Sequence, residues 1–384
     1  MNRIYIIVIT IISLTITKSC ISPFEPEGVS SIDNMIVIEG NIIQNDTTKV
    51  MVSRSLSLSQ ENKIDYISKA TVWVESDRGK KYSAFEQKKG EKIQYLINTI
   101  GIDPSLEYKL VVTTGGQRYE SDFVTIRKVP EIDSIGYSIN RDSTGLIFYV
   151  NTHDTQNKTW YYMWSFKEDW EFRSKYLSLF DYDIFSGSIF EIDMDQNRYY
   201  CWRQDVSKSI LIATSNHLNE DRIFRKPLLY VPSWDSRINY LYSMELAQIA
   251  IGRDAYSYWE NIKKNSDEIG GIFAPQPSEM AGNIRCLTTP SEKVIGYISG
   301  TYVVRKRVFF RSSDIGIYKD RIDCDTHYVG PDNPLPIDSL YKVGYDVTSY
   351  FEETNESTWI IRRCVECRTY GTKNKPSFWP NDHI

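Results

Sequence analysis

The stretch Lys69-Ala-Thr-Val-Trp-Val-Glu75 decides the fold class of the first part of the chain, because its residues alternate in character. Ala70, Val72 and Val74 would share one face, and the residues between them would point to the other. A period of two, built from β-branched and aromatic residues, predicts a strand with one buried face. The pattern therefore predicts β-structure for this part of the chain.

Similar short segments lie on both sides of this strand. A Gly115-Gly116 pair between two of them predicts a hairpin turn. The predicted strands are residues 35–43, 49–53, 69–75, 82–85, 94–97, 107–113 and 118–126. About seven short strands within one domain of roughly 100 residues are typical of an immunoglobulin-like β-sandwich. We predict that fold for residues 35–128.

The N-terminus predicts export and a lipid anchor. Arg3 is followed by an uncharged, mainly apolar run over residues 4–16, which is shorter than the roughly 20 residues that a membrane-spanning helix needs. With Ser19 before a cut, this pattern describes a signal peptide at residues 1–19. Cys20 directly after the cut is where a bacterial lipoprotein carries its lipid, although Thr17 and Lys18 depart from the usual motif.

The alternative is that Cys20 is an ordinary cysteine of a secreted domain. Residues 20–34 contain Pro, Gly and Ser and little to bury, so they predict a flexible tether.

Length and charge bound the class of protein. A chain of 384 residues suits two domains, and we place the second at residues 129–384, mainly β and larger than the first. The net charge of −5 argues against a general nucleic-acid binder, which needs a basic face.

The most aromatic stretch is Trp160-Tyr-Tyr-Met-Trp-Ser-Phe-Lys-Glu-Asp-Trp-Glu-Phe172. Its alternation predicts a strand whose large rings share one face. The interpretation we favour is the buried face of a large sheet. The alternative is a ligand or interface platform formed by Trp160, Trp164 and Trp170.

Residues 254–267 predict the one clear helix, because apolar residues recur at steps of three and four. These are Ala255, Tyr258, Trp259 and Ile262. Asp254 is placed to cap the helix N-terminus. Further along, residues 294–304 and 307–311 predict a β-hairpin, with Gly296 and Gly300 marking bulges or close contact with another segment.

Five cysteines follow Cys20, and an odd number leaves at least one thiol unpaired within the chain. They are Cys201, Cys286, Cys324, Cys364 and Cys367. Because export favours disulfides, we predict a bridge from Cys324 to Cys364 or Cys367, with Cys286 as a further candidate. Cys201 is the residue we expect to remain unpaired.

No recognised catalytic, phosphate-binding or dinucleotide motif occurs in the sequence. Asp181, Asp183, Asp193 and Asp195 could hold calcium, but the spacing of a calcium loop is absent, so a solvated loop is favoured. We therefore expect no cofactor, no metal and no catalytic residue. The alternative is an envelope hydrolase that uses carboxylates such as Asp181, Asp183 or Glu191 in a cleft.

Several short motifs together resemble one family. They are Cys-Ile-Ser-Pro-Phe-Glu-Pro-Glu from Cys20, Ile36-Val-Ile-Glu-Gly-Asn41, Pro130-Glu-Ile-Asp-Ser-Ile135, Tyr200-Cys-Trp202, Gly270-Gly-Ile-Phe-Ala-Pro-Gln-Pro277, Gly282-Asn-Ile284, Cys364-Val-Glu-Cys-Arg368 and Phe378-Trp-Pro380. In order and spacing the chain resembles the DUF4249 family, Bacteroidota lipoproteins with no assigned function. The resemblance implies an envelope location, a β-rich fold and genes near TonB-dependent outer-membrane receptors, and it supplies no catalytic residues.

The expected protein is thus an outer-membrane lipoprotein that binds a ligand as a non-catalytic accessory of a TonB-dependent nutrient uptake system. Its expected partners are the membrane, through the lipid on Cys20, and such a receptor. A structural or adhesive surface protein is the remaining alternative.

Overall fold

The computed structural model describes residues 34–55, 64–267 and 282–381. The predicted signal peptide, Cys20 and the tether apart from Asn34 lie outside the described residues. The whole family motif at residues 270–277 also lies outside them.

The described residues are mainly strands, which confirms the predicted class. The first ten are β1 (Ile36–Gly40), β2 (Ile42–Ile43), β3 (Thr48–Arg54), β4 (Asp65–Tyr66), β5 (Thr71–Ser76), β6 (Lys81–Lys89), β7 (Lys92–Ile97), β8 (Glu107–Thr114), β9 (Gln117–Ser121) and β10 (Val124–Arg127). The next nine are β11 (Ile132–Ile139), β12 (Gly145–His153), β13 (Tyr161–Arg173), β14 (Phe180–Asp183), β15 (Ser188–Glu191), β16 (Tyr200–Val206), β17 (Leu211–Thr214), β18 (Arg222–Pro232) and β19 (Leu241–Ala250). The last seven are β20 (Ile284–Cys286), β21 (Val294–Ile295), β22 (Gly300–Thr301), β23 (Val303–Arg311), β24 (Thr326–Val329), β25 (Tyr345–Phe351) and β26 (Glu356–Ile361).

The N-terminal strands join in one pairing network. Its main path runs β2-β22-β10-β8-β5-β6-β7-β3-β1-β21, with β4, β9 and β20 paired at its sides. Strand β5, which contains Trp73, lies near the middle of that path between β8 and β6. Side chains from strands all along the path share one core, so the sheet curves around its own interior. An immunoglobulin-like sandwich is not confirmed, because that fold needs two separate sheets.

Strands β20, β21 and β22 come from residues 284–301 yet lie in this N-terminal sheet. Val294 and Ile295 pair with β1, and Gly300 pairs with both β2 and β10. The predicted hairpin over 294–311 is therefore wrong. Gly296 has φ +147°, and a Cβ built there would lie 2.2 Å from Ile38 O, so only glycine permits this close passage. The predicted domain boundary after residue 128 stays a prediction, and the first sheet draws strands from beyond it.

Two further sheets pack face to face in the middle of the chain. One has the order β11-β12-β18, and the other has the order β16-β13-β19-β23 with β17 also on β13. Their facing side chains form one core that includes Phe148, Trp164 and Tyr242. Strand β13, the aromatic stretch of the sequence, is thus the centre of the larger sheet, paired with β16, β17 and β19.

The predicted helix is confirmed as α1 (Arg253–Asp267). It begins one residue earlier than expected, so Gly252 precedes it and Asp254 lies in its first turn. The other two helices of the described residues are α2 (Ser312–Ile315) and α3 (Ile337–Lys342). None of these three is long and apolar enough to cross a membrane.

The C-terminal part forms a small module. A sheet of order β24-β26-β25 packs with α3 and with the β14–β15 hairpin around the buried Trp359. Cys324 and Cys364 form a disulfide at one end of the module. A second disulfide, between Cys201 and Cys367, joins the chain after β26 to β16 of the central sheet.

Candidate functional site

A cleft with a defined lining lies between the central sheet and the end of the chain. We name residues 368–378 the C-terminal strap. The strap crosses the outer strand β16, and the space between them has a volume of about 660 Å³. Sites for small molecules usually occupy about 300–1,000 Å³. Asp169 from β13 and Trp202, Arg203 and Gln204 from β16 line one wall, and the strap forms the other.

Covalent and backbone bonds fix the strap to β16. The Cys201–Cys367 disulfide closes the chain onto the strand at the beginning of the strap. Next to it, the N–H of Trp202 donates to Thr372 O over 2.8 Å, and the N–H of Thr372 donates back to Trp202 O over 2.9 Å. Gly371 permits this contact, since a Cβ there would lie 2.8 Å from Trp202 O. The cleft therefore has a preformed wall.

Side chains also anchor the strap, one from its middle and one from just beyond its end. Lys373 donates to Tyr200 O over 2.9 Å, and burial lowers the pKa of this lysine. Beyond the strap, the indole N–H of Trp379 donates to Glu171 Oε2 of β13 over 2.7 Å. Trp379 is 3 % exposed and packs with Trp202 and Leu241. The last residues of the described chain thus reach into the central sheet.

The carboxylate in the lining, Asp169, is committed to an ion pair. Arg307 from β23 lies 3.2 Å from Asp169 Oδ2 and 2.8 Å from Glu245 Oε2. The same guanidinium group lies 3.6 Å from the ring centroid of Phe378 in the strap. Asp169 therefore neutralises Arg307 and helps to position the ring, which is 41 % exposed.

Polar and aromatic groups make up the accessible part of the cleft. Gln204 and Asn374 are exposed in the lining, and Tyr370 is 49 % exposed on the strap. Arg203 also touches the lining, but it is paired directly opposite Trp170, so its guanidinium lies 5.6 Å from that buried ring, on the other face of the sheet from Gln204. Amide groups form hydrogen bonds with carboxyl and hydroxyl groups, and ring faces accept flat apolar surfaces, so the cleft suits a polar ligand with such a surface.

The three predicted platform residues do not line this cleft. Trp164 is 2 % exposed and donates its indole N–H to Gln248 Oε1 inside the core. Trp170 is 3 % exposed and lies between Arg203 and Arg237. Trp160 precedes β13 with φ +59°, and its backbone N–H donates to Asp221 Oδ2. The favoured interpretation, a buried sheet face, describes Trp164 and Trp170, because alternate positions of a central strand face the second sheet.

The carboxylates named for a hydrolase lie on the β14–β15 hairpin, away from the cleft. Asp181 is opposite Phe190, and Asp183 is opposite Ser188, so these two acids share one face. Glu191 is opposite Phe180 and lies on the other face. Asp181 is held by Arg198 at 2.7 Å, and Asp183 accepts from the turn that follows it. These acids do not form a facing pair.

Within the described residues, no group of three or more His, Cys, Asp or Glu side chains is arranged to hold a metal ion. Asp181 and Asp183 serve the hairpin and its neighbours. Asp183 bonds the backbone of its own turn, and its pKa is lowered by that bond. Hydrogen bonds of this kind stabilise turns.

The cysteines follow the prediction in part. Cys324 bonds Cys364, one of its two predicted partners. Cys201 was expected to remain unpaired, yet it bonds Cys367, and the unpaired cysteine is the buried Cys286. The error has a physical cause: 166 residues separate Cys201 from Cys367, and sequence spacing does not report on contacts at that distance.

Sequence reasoning missed the cleft itself. Two of the family motifs, Tyr200-Cys-Trp202 and Cys364-Val-Glu-Cys-Arg368, supply its disulfide and part of its walls. The third, Phe378-Trp-Pro380, supplies the ring over Arg307 and the indole bound to Glu171. The signal that could have found the site was the shared composition of these three motifs, each of which contains cysteine or aromatic residues.

The fold and the cleft define a mainly β protein of several packed sheets with a ligand-sized cleft under a disulfide-held C-terminal strap. Residues 21–307 match the family described as a domain of unknown function, DUF4249, and the chain belongs to that family. The match covers β13 and β16 of the cleft, and the strap lies beyond it. A comparison with the curated proteins finds no match.

Proposed function

We propose that this protein is a non-catalytic binding protein of the cell envelope that holds a polar ligand in the cleft under its C-terminal strap. The observation that carries the proposal is the preformed wall, which the Cys201–Cys367 bridge and the paired bonds between Trp202 and Thr372 hold in place. A preformed wall lowers the conformational entropy that the protein loses when a ligand binds.

The chemistry of the lining favours binding over hydrolysis. Acid–base hydrolysis of a glycan requires two carboxyl groups across the scissile bond. The cleft contains one carboxylate in its lining, Asp169, and Arg307 engages it. Gln204 and the exposed rings of Tyr370 and Phe378 offer hydrogen-bonding groups and flat faces instead. A short oligosaccharide or a peptide has the matching groups.

In the proposed setting, a lipid on Cys20 holds the protein at the outer membrane. There it would act beside a TonB-dependent receptor, to which it presents a captured nutrient. The sequence pattern at residues 1–20 and the family motifs support this setting.

A binding experiment tests the cleft. The full chain, the double variant Gln204→Ala/Phe378→Ala and the control Phe224→Ala would be applied to arrays of oligosaccharides and peptides. Phe224 is 74 % exposed and lies on β18, outside the lining. We expect a ligand that the wild type and the control retain and the double variant loses. Equal retention by all three proteins, or cleavage of the ligand, would overturn the proposal.

A fractionation experiment tests the setting. Cys20→Ala should move the protein from the membrane to the soluble fraction, because several acyl chains on one cysteine anchor firmly at about 0.8 kcal/mol per buried CH₂. Affinity purification of the wild type from detergent-solubilised outer membranes should recover a TonB-dependent receptor. Unchanged membrane partition of the variant contradicts the anchor, and absence of any such receptor contradicts the partnership.

A further inference from the structure

The C-terminal strap covers only part of the outer edge of strand β16. Thr372 and Trp202 form an isolated antiparallel bridge, and it is the one position where the described part of the chain pairs its backbone with that edge. A strap that continued as a strand would place Tyr370 opposite Gln204. Instead, the N–H of Tyr370 donates to Cys367 O over 3.0 Å, so the strap turns away from β16 there. The edge beyond Trp202 is therefore left open.

The backbone of Gln204 points toward this open edge. In an antiparallel pair, successive residues direct their N–H and C=O groups alternately toward the partner strand and away from it. Ser207 N donates to Phe166 O of β13 over 2.9 Å, whereas Trp202 directs both of its groups toward the strap. The register between β13 and β16 runs from Tyr200 to Val206 without a shift. Gln204 therefore directs both groups away from β13, as Trp202 does.

These two groups of Gln204 are available to a ligand. Within the described residues, neither the N–H nor the C=O of Gln204 makes a hydrogen bond. Gln204 is exposed, so water satisfies both groups in the free protein. Gln204, Thr369 and Tyr370 all line the strap cleft, so the cleft reaches the edge. An open, regular strand edge is a template for pairing with another extended chain.

The charges beside the edge favour an acidic partner. Arg203 is exposed, and within the described residues it forms no ion pair. The carboxylates near it already have partners. Asp169 lies 3.2 Å from Arg307, and Asp205 lies 3.2 Å from Lys208. A negative charge supplied by a ligand would therefore find Arg203 uncompensated.

We propose that the ligand of the strap cleft is an extended acidic peptide that adds an antiparallel strand to β16 opposite residues 203–206. The proposal rests on the proposed binding function and narrows its ligand to one class, because an oligosaccharide lacks the alternating N–H and C=O groups of a peptide. One peptide residue exchanges two backbone hydrogen bonds with Gln204 and directs its side chain into the cleft, which Tyr370 and Phe378 line. The next peptide residue is opposite Arg203 and carries the acidic group.

Selection from a phage-displayed library of random linear peptides tests the edge, with the full-length chain as bait. Gln204→Pro removes the outward N–H, and the N–H groups that bond to β13 remain, because proline is tolerated on an edge strand whose N–H faces outward. We expect peptides with an acidic residue that the wild type retains and that Gln204→Pro binds about fivefold or more weakly.

Tyr328→Pro is the matched control. Tyr328 is 70 % exposed on the edge strand β24, outside the cleft lining. Its N–H also faces outward, since Ile361 N donates to Asp325 O and the register alternates from there. This variant should bind the selected peptides as the wild type does. Equal binding by the wild type and a folded Gln204→Pro would overturn the proposal.

Chemical change of the peptide gives a second readout that leaves the protein intact. Each residue of a selected peptide is N-methylated in turn, and calorimetry measures the affinity. A paired strand directs every second N–H to β16, so N-methylation should weaken binding about fivefold or more at alternate positions and change it less than about twofold between them. Equal effects at all positions, or no effect at any, would contradict strand addition.

The oligosaccharide array separates this proposal from the binding function on which it rests. A wild-type protein that retains an oligosaccharide in the cleft and no library peptide would keep the binding function and overturn the peptide ligand. A protein that retains neither class would overturn both.

Discussion

Trp379 and Glu171 are 208 residues apart in sequence, and the indole N–H of Trp379 donates to Glu171 Oε2 over 2.7 Å. Glu171 is fully buried on the central strand β13, and Trp379 is 3 % exposed. A buried carboxylate requires hydrogen-bond donors, and Trp379 near the end of the described chain supplies one to Glu171 in the core. The C-terminal strap is therefore held between this bond and the Cys201–Cys367 bridge.

Replacing the indole tests this relationship. Trp379→Phe keeps a ring in the core and removes one donor from the buried carboxylate, which should lower the free energy of unfolding by about 1–3 kcal/mol. Chemical denaturation measures the change. Trp234→Phe is the control, because Trp234 is 43 % exposed, and it should lose little. Equal losses in the two variants would show that the bond contributes nothing specific.

The two disulfides should act differently on the cleft. In the chain-entropy model, the bridge across 166 residues contributes about 5 kcal/mol and the bridge across 40 residues about 4 kcal/mol. Cys201→Ser/Cys367→Ser should also speed hydrogen exchange in the strap, since it removes the covalent wall. Cys324→Ser/Cys364→Ser should loosen residues 324–364 and leave the strap protected. Faster strap exchange in both pairs would contradict this division.

Gly296 should tolerate no side chain. Gly296→Ala places a Cβ 2.2 Å from Ile38 O at φ +147°, so the segment must move away from β1. Gly90→Ala shares a positive φ, +62°, but has open space around it. We expect the loss in unfolding free energy at Gly296 to exceed that at Gly90 by at least about 1–3 kcal/mol. Thermal unfolding compares the two, and similar midpoints would contradict the close passage of strands.

Glu168 should make stability depend on pH. It is 3 % exposed, and burial raises the pKa of its carboxyl group above the ordinary value of 4.5. Its protonated form is favoured in the folded state, so its stabilising contribution is complete below pH 4.5 and is lost as the pH rises through the raised pKa. Arg237 at 3.8 Å and the hydroxyl of Tyr242 at 2.7 Å oppose this loss only in part.

Denaturation of Glu168→Gln across a pH series measures the effect. The variant does not titrate, so its stability relative to the wild type should increase from about pH 4.5 upward and then level off. Glu220→Gln is the control, since the side chain of Glu220 is 71 % exposed. A constant difference between Glu168→Gln and the wild type across the series would show that burial does not perturb this group.

Strands and the helix followed from local pattern. The alternation around Trp73 predicted β5, and the three- and four-residue steps from Ala255 predicted helix α1. The aromatic alternation that ends in Phe166 predicted a buried face. Each of these depends on which face of one element leaves water, and sequence periodicity records that directly.

The hairpin predicted at residues 294–311 is wrong because strand pairing depends on distant parts of the chain. Its apolar residues were read correctly as strands, but Val294 and Gly300 pair with strands more than 170 residues earlier in the chain. The wrong partner for Cys201 has the same origin. Pairing over such distances depends on how the sheets are placed relative to one another. A short stretch of sequence carries no information on that placement.

The sequence by itself determined the β-rich class, the helix and the family resemblance, and it narrowed the partner of Cys324 to Cys364 or Cys367. Only the tertiary structure decided the cleft. Trp202 meets Thr372, and Arg127 meets Gly252, because separately formed elements pack against one another. Side-chain periodicity fixes what each element buries, whereas the packing of whole sheets fixes which distant residues become neighbours.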